Sequence, residues 1–438
     1  MTRTAHPPAA PDDARTAIAP MARTAHPPAA PDEARTAIGG AIAADRLLAP
    51  WFTCLRERVG ELHVFDSHTH LGCADPDGSC FDAGELRGAL DVVDAHAVVF
   101  PLAEPGPYRA ANDRVLAAAD ASDGRLVPFC RVDPNDGALE EAERAVSLGA
   151  RGIKLHPRAE RFGLGEPSVG RVFSFADERR LPIIIHAGRG IPSLGRDALK
   201  LARANPHTPV ILAHAAIADL AWIWHEAAGQ RNLFFDTSWW NVADQLALFR
   251  LVAPGQILFA SDAPYGRTVA TAALALRAAL AAGLSADQAQ SVAGGQLKRL
   301  LAGEEPLDLG PAPAAPVPEP GPLLERVHAM LIAAAARLTA GYPADEYLDL
   351  ARLACELPAD HPDRPAAASV SELLRRHAAH VASDPPHRGP RIPGIHLIFV
   401  AAAVARTPWL PVPDPGTLND PVDRARIDFN GETADVDL

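Results

Sequence analysis

Lysine is all but missing from this sequence of 438 residues: Lys154, Lys200 and Lys298 are the only three. Arginine supplies the rest of the positive charge, and the formal net charge is -13. Binding to nucleic acid or to an anionic membrane surface needs a basic face, which this composition does not favour. Cysteine is scarce as well, with five residues and no CxxC pair. An odd number in a chain of this size points to reduced thiols and a cytoplasmic protein. No apolar run approaches the ~20 residues of a membrane span. The nearest, IHLIFVAAAVA from Ile395, is too short, and the N-terminus has no apolar signal segment.

Hydrophobic residues are plentiful at 48%, enough for a large core. The chain is also too long for one ordinary domain, and a (β/α)₈ barrel of about 250 residues plus a second module is a natural partition. Residues 1–40 hold a tandem repeat, RTAHPPAAPDDARTAI from Arg3 and RTAHPPAAPDEARTAI from Arg23. So much Ala and Pro has little to bury and predicts disorder. The two isolated histidines there, His6 and His26, make a poor metal site.

From residue 41 to 305 the pattern is α/β. A helical stretch over 41–58 leads into eight short apolar runs: LHVFDSHTH, AHAVVFPLA, RLVPFCRVD, ARGIKLH, LPIIIHA, PVILAHA, NLFFDTS and QILFASD. Amphipathic stretches separate them. Strand–helix alternation implies parallel strands with right-handed crossovers, and eight units imply a closed TIM barrel. The proline-rich run 306–322 predicts an extended linker. Beyond it, 323–438 predicts a small helical domain built on LLERVHAMLIAAAARL, DEYLDLARLACEL and VSELLRRHAAHVA, with an irregular end.

Functional side chains of such a barrel sit at the C-terminal ends of its strands, and the polar residues of this chain fall there. His68 and His70 end the first run two residues apart, on one strand face. His186, His214 and Asp262 end the fifth, sixth and eighth runs. One strand-end histidine is usually a packed residue. Four imidazoles and a carboxylate in the same phase of successive units instead suit zinc or a similar divalent ion.

The segments HVFDSHTHLG, GIKLHP, IIIHAG, VILAHAA, NLFFDTS and ILFASDAPYG, in that order, resemble the amidohydrolase-related family of the amidohydrolase superfamily, over about residues 62–301. The resemblance implies that His68, His70, His186 and Asp262 bind one metal, that Asp262 also takes a proton from the attacking water, and that His214 polarises substrate or moves protons. It implies a small-molecule hydrolase of C–O or C–N bonds. The same scaffold in this family also carries non-oxidative decarboxylases of aromatic or unsaturated acids. In two-metal members of the superfamily a carboxylated strand-four lysine bridges the ions. Lys154 is near that position. Uncarboxylated, it would instead hold an acidic substrate.

Weaker candidates surround this set. Asp66 lies deeper on its strand, which suits a supporting role. Asp236 orients a ligand or caps a turn. Arg131, Arg158 and Arg189 each follow a strand and could grip a substrate carboxylate. Cys73 and Cys80, in the loop after His70, could form a disulfide or hold a second metal, although ordinary loop residues are the plainer reading. His328, His377 and His380 show no metal spacing and read as helix-surface residues. The helical domain could bind a partner protein, and a homo-oligomer is compatible with the sequence.

Overall fold

The computed structural model describes residues 31–76, 78–188, 191, 194–383 and 392–418. Nine strand segments alternate with helices: β1 (Val64–Leu71), β2 (Ala95–Pro101), β3 (Leu126–Pro128), β4 (Cys130–Arg131), β5 (Ile153–Leu155), β6 (Ile183–Ile185), β7 (Val210–Leu212), β8 (Leu233–Asp236) and β9 (Ile257–Leu258). All pairings between them are parallel and between neighbours in sequence. β3 and β4 are two halves of one stave. Phe129 between them donates its N–H to Val99 of β2 (2.9 Å), while Cys130 donates to Gly152 beside β5 (3.0 Å). The ring closes where Ser67 donates to the Phe259 carbonyl (2.9 Å), Asp262 to that of His68 (2.9 Å) and His70 to that of Ala263 (2.8 Å). The molecule is therefore a (β/α)₈ barrel, and each of the eight predicted strands contributes one stave.

Alternation along the staves sorts the core into two shells. Val98, Phe100, Phe129, Ile184, Ile211, Phe234 and Leu258 fill the barrel interior. Leu297 and Leu300, from the helix Gln296–Leu301, pack onto them. Their intervening neighbours, Ile183, Ile185, Val210, Leu212 and Phe235 among them, belong to the larger shell between strands and helices. With the interior filled by side chains, chemistry is confined to the C-terminal rim.

The helices Pro322–Thr339, Asp345–Ala354 and Arg364–Ser383 match the three predicted for the tail. A fourth, Ile395–Arg406, forms from the apolar run weighed in the sequence only as a membrane span. A helix apolar on every side needs burial on every side, and Leu397, Ile398 and Val400 to Ala405 are all buried. Among the described residues no helix is long and apolar enough to cross a membrane.

These helices pack directly on the barrel. Arg277, buried in the barrel helix Thr268–Ala282, donates to the Thr407 hydroxyl (2.6 Å), the Thr407 carbonyl (2.8 Å) and the Pro411 carbonyl (2.9 Å). It thereby caps the C-terminal end of the helix Ile395–Arg406, where unpaired carbonyls favour a cation. On the N-terminal side, Trp51 donates to the Ser369 hydroxyl (2.8 Å) and Arg376 to the Leu47 carbonyl (2.8 Å). The proline-rich segment carries neither helix nor strand and lies bonded to the barrel flank, through Arg250 to the Ala314 carbonyl (3.2 Å) and Gln288 to the Leu309 carbonyl (3.0 Å). The first helix runs Pro31–Val59, so it begins inside the second repeat copy. The first copy, His6 and His26 lie outside the described residues.

Candidate metal centre

Five of the residues singled out in the sequence meet at the rim. His68 and His70 leave the end of β1, and both Nε2 atoms lie 3.1 Å from one oxygen of Asp262. His214 follows β7 and His186 follows β6; His214 Nε2 and His186 Nδ1 are 3.0 Å apart. Nitrogens of His68 and His214 and an oxygen of Asp262 lie within 4.8 Å of one another, a spread that could hold an ion. Two of these groups reach the centre only through left-handed backbone: φ is 58° at His214 and 60° at Asp262. Non-glycine residues rarely adopt it, and such strain collects at functional sites. Gly188 keeps the mouth open, since a Cβ there would stand 2.8 Å from His186 Nε2.

The far side of each ring explains its aim. His68 Nδ1 pairs with Asp236 (2.8 Å), His70 Nδ1 with the Pro101 carbonyl (3.3 Å) and His214 Nδ1 with the Ser238 carbonyl (2.9 Å). An imidazole that donates from Nδ1 offers the Nε2 lone pair, the tautomer a metal requires. Burial favours the neutral form and lowers His70, to about 3, and His214; at His68 the Asp262 and Asp236 carboxylates outweigh burial and the Lys154 charge and raise it. Burial alone would raise Asp262. The charges of His68 and His214, with hydrogen bonds from His68 and His70, outweigh it and hold that carboxyl well below its usual range.

Asp236 serves both of the roles considered for it. One oxygen takes His68, and the other accepts the N–H groups of His214 (2.8 Å) and Ser238 (2.9 Å). Asp66 is buried beneath the centre and ties β1 to the closing strand, accepting from the N–H groups of His68 (3.1 Å) and Ser261 (2.9 Å). Lys154 is fully buried, with Nζ 3.1 Å from His68 Nε2 and 4.7 Å from the centre of the Phe100 ring. Burial, only partly offset by Asp262, brings its pKa down to about 7. Arg131 is also buried, but its guanidinium is engaged by Glu160 (2.7 and 3.1 Å). Arg158 is exposed, and Arg189 lies outside the described residues.

Three neighbours went unnoticed in the sequence. His156 stacks on His186 at 3.8 Å between centroids. Its Nδ1 accepts from the Ala159 N–H (3.2 Å), so Nε2 carries the proton. Phe100 floors the centre, edge-on to His70 at 4.6 Å. Ser238 joins Asp236 to His214. The signal for two of them was present: His156 follows Lys154, and Ser238 follows Asp236, at the same two-residue step as His70 after His68.

The loop above the site corrects the expectation of reduced, ordinary thiols. Cys73 and Cys80 are joined in a disulfide, and the three remaining cysteines, Cys54, Cys130 and Cys355, are free. Gly72 and Phe81, next to the pair, exchange both backbone hydrogen bonds (3.0 and 2.8 Å) and so bring the two cysteines face to face. An odd total could not reveal this local pairing.

The family model described as "Amidohydrolase" matches residues 65–295. Comparison with curated proteins finds no match. Similar solved structures include 5-carboxyvanillate decarboxylase from Sphingomonas paucimobilis, at 15% identity and a TM-score of 0.46, over 55% of this chain and 99% of that one. 2,6-Dihydroxybenzoate decarboxylase from Rhizobium is similar at 14% identity and a TM-score of 0.45, over 55% and 99%. 4-Oxalomesaconate hydratase from Rhodopseudomonas palustris is similar at 16% identity and a TM-score of 0.41, over 55% and 96%.

Proposed function

The chain belongs to the amidohydrolase family, and on that premise we propose that it is a metal-dependent hydrolase cleaving a C–O or C–N bond of a small, acidic molecule. The observation that carries the reading is the set of imidazoles with Nδ1 tethered and Nε2 turned toward Asp262. Neutral imidazole and carboxylate fit a divalent ion, zinc by preference. We assign its ligands as His68, His70, His186 and Asp262. Such an ion, when bound, supplies Lewis acidity that brings the pKa of a water toward ~7.

The remaining steps belong to the chain's own groups. The Asp262 carboxylate accepts the proton of the attacking water. His214 accepts or returns a proton at Nε2. Its Nδ1 lies against Ser238 (2.9 Å to the carbonyl), whose hydroxyl donates to Asp236 (2.5 Å), so a positive charge on the ring is stabilised from behind. The family resemblance makes His186 the ligand and His214 the proton carrier, although His214 groups with His68 and Asp262 within 4.8 Å and is the alternative ligand. The donors His156 Nε2 and Lys154 Nζ favour an anionic substrate, beside which Lys154 would keep its proton. An ammonium near a divalent ion is costly unless an anion lies between them.

The test is a screen of the purified protein against lactones, amides and aromatic carboxylic acids, following both water uptake and carbon dioxide. Hydrolysis of an acidic lactone or amide supports the reading. Carbon dioxide release without uptake of water assigns the chain instead to the non-oxidative decarboxylases.

A further inference from the structure

The turn that carries Asp262 is tight. Asp262 holds its left-handed φ of 60° while its carbonyl accepts from the Gly266 N–H (3.0 Å). Gly266 leaves no room for a side chain, since a Cβ there would stand 1.8 Å from the Ser261 carbonyl oxygen. A strained conformation persists only where the surroundings over-determine it. Two aspartates from other segments supply the hold. Asp75, in the loop after β1, accepts from the Tyr265 hydroxyl (2.7 Å), and the Tyr265 ring stands edge-on to His70 at 5.7 Å. Asp45, in the first helix, takes the Arg267 guanidinium through both oxygens, Nε on one (3.0 Å) and Nη2 on the other. The Arg267 carbonyl is held as well, by the Thr271 N–H (2.9 Å) and the Thr271 hydroxyl (3.0 Å).

Asp45 and Arg267 are both buried. Desolvation cancels much of the attraction in a buried ion pair, so apolar side chains of similar volume often serve stability as well or better. What they do not reproduce is the bidentate fork, which fixes the position and the rotation of the guanidinium together. The fork sits five residues after Asp262, at the far end of the same turn. Its carboxylate comes from a helix that precedes the family-matched segment.

We propose that Asp45 is a positioning residue for the metal centre: through Arg267 it pins the end of the turn and holds Asp262 in its ligating conformation. The first helix is then part of the active site although it carries no ligand. This rests on the assignment of Asp262 as a ligand made above.

The experiment uses metal-free, full-length protein and Co(II) alone as the probe, read by its visible absorption and its binding constant. The double variant Asp45→Leu with Arg267→Met removes the pair without leaving a lone buried charge. It is expected to keep the melting temperature close to that of the wild type, to weaken Co(II) binding about 10-fold or more, in the range of other outer-sphere partners, and to alter the visible bands. Asp45→Asn keeps the shape and one acceptor but not the charge, and should give a smaller loss of the same kind. Leu55→Ala, buried in the same helix, lowers the melting temperature without moving Co(II) affinity. Wild-type affinity and bands in the folded double variant would overturn the proposal. So would an equal loss of affinity in Leu55→Ala, because general loosening of the helix would then suffice. Should the double variant not fold, Asp45→Asn decides, and unchanged affinity and bands there count against the proposal. Failure of the wild type itself to bind Co(II) overturns the metal reading beneath it.

Discussion

Histidines serve two different ends in this molecule. At the barrel rim, His68, His70 and His214 spend Nδ1 on a carboxylate or a carbonyl and turn Nε2 into a shared centre. In the C-terminal helices, His328 spends Nδ1 on the Ala402 carbonyl (3.0 Å) and His377 on the Gly394 carbonyl (3.2 Å), each joining one helix to the next. Burial and the first hydrogen bond are alike in both places. What differs is where the second nitrogen points, and that is set by backbone. Strand ends aim several side chains at one volume, whereas a helix spreads them over separate contacts.

The comparison is broken most severely by His68→Ala with His70→Ala. The expected result is loss of bound metal by elemental analysis and loss of turnover, with the barrel still folded by circular dichroism. Full metal retention would mean that the two rings are merely packed.

Next in size is a stability effect in the tail. Arg277→Met strands three buried carbonyl or hydroxyl groups at once, which should cost about 3 kcal/mol. Denaturant unfolding should show this as a lower midpoint in a single transition, because the barrel and the helices share a core. Two separate transitions, with the barrel midpoint unmoved, would mean the tail is an independent domain.

Asp236→Asn sharpens the rim half of the comparison. It removes the charge that orients His68 and should weaken metal binding by about 10- to 100-fold, measured by competition with a chelator. The smallest effect is expected for His328→Leu. Its lost hydrogen bond is worth about 1 kcal/mol of stability, and the metal affinity should not change.

The barrel was legible in the sequence because strand phase and helical phase are local. Eight apolar runs, most of them ending at or beside a polar residue, imply eight staves and a rim. The positions of His68, His70, His186, His214 and Asp262 at that rim followed from the same alternation. The rest depended on contacts between distant segments. The Cys73–Cys80 pairing follows from a backbone bridge between Gly72 and Phe81 that no residue pattern announces. The engagement of Arg131 by Glu160 follows from a helix placed over the rim. The helix Ile395–Arg406 escaped because an all-apolar run carries no period, and period was the signal being read.

The central claim is that His68, His70, His186 and Asp262 hold one ion, with His214 left to move protons. It is tested most directly by the metal-to-protein ratio of the wild type and of His214→Asn, with and without bicarbonate. The account predicts a ratio of about one in both proteins, as for a single catalytic site, with His214→Asn inactive but loaded. A ratio of about two that needs bicarbonate and falls in Lys154→Ala would contradict it, making Lys154 a bridge between two ions and His214 a ligand.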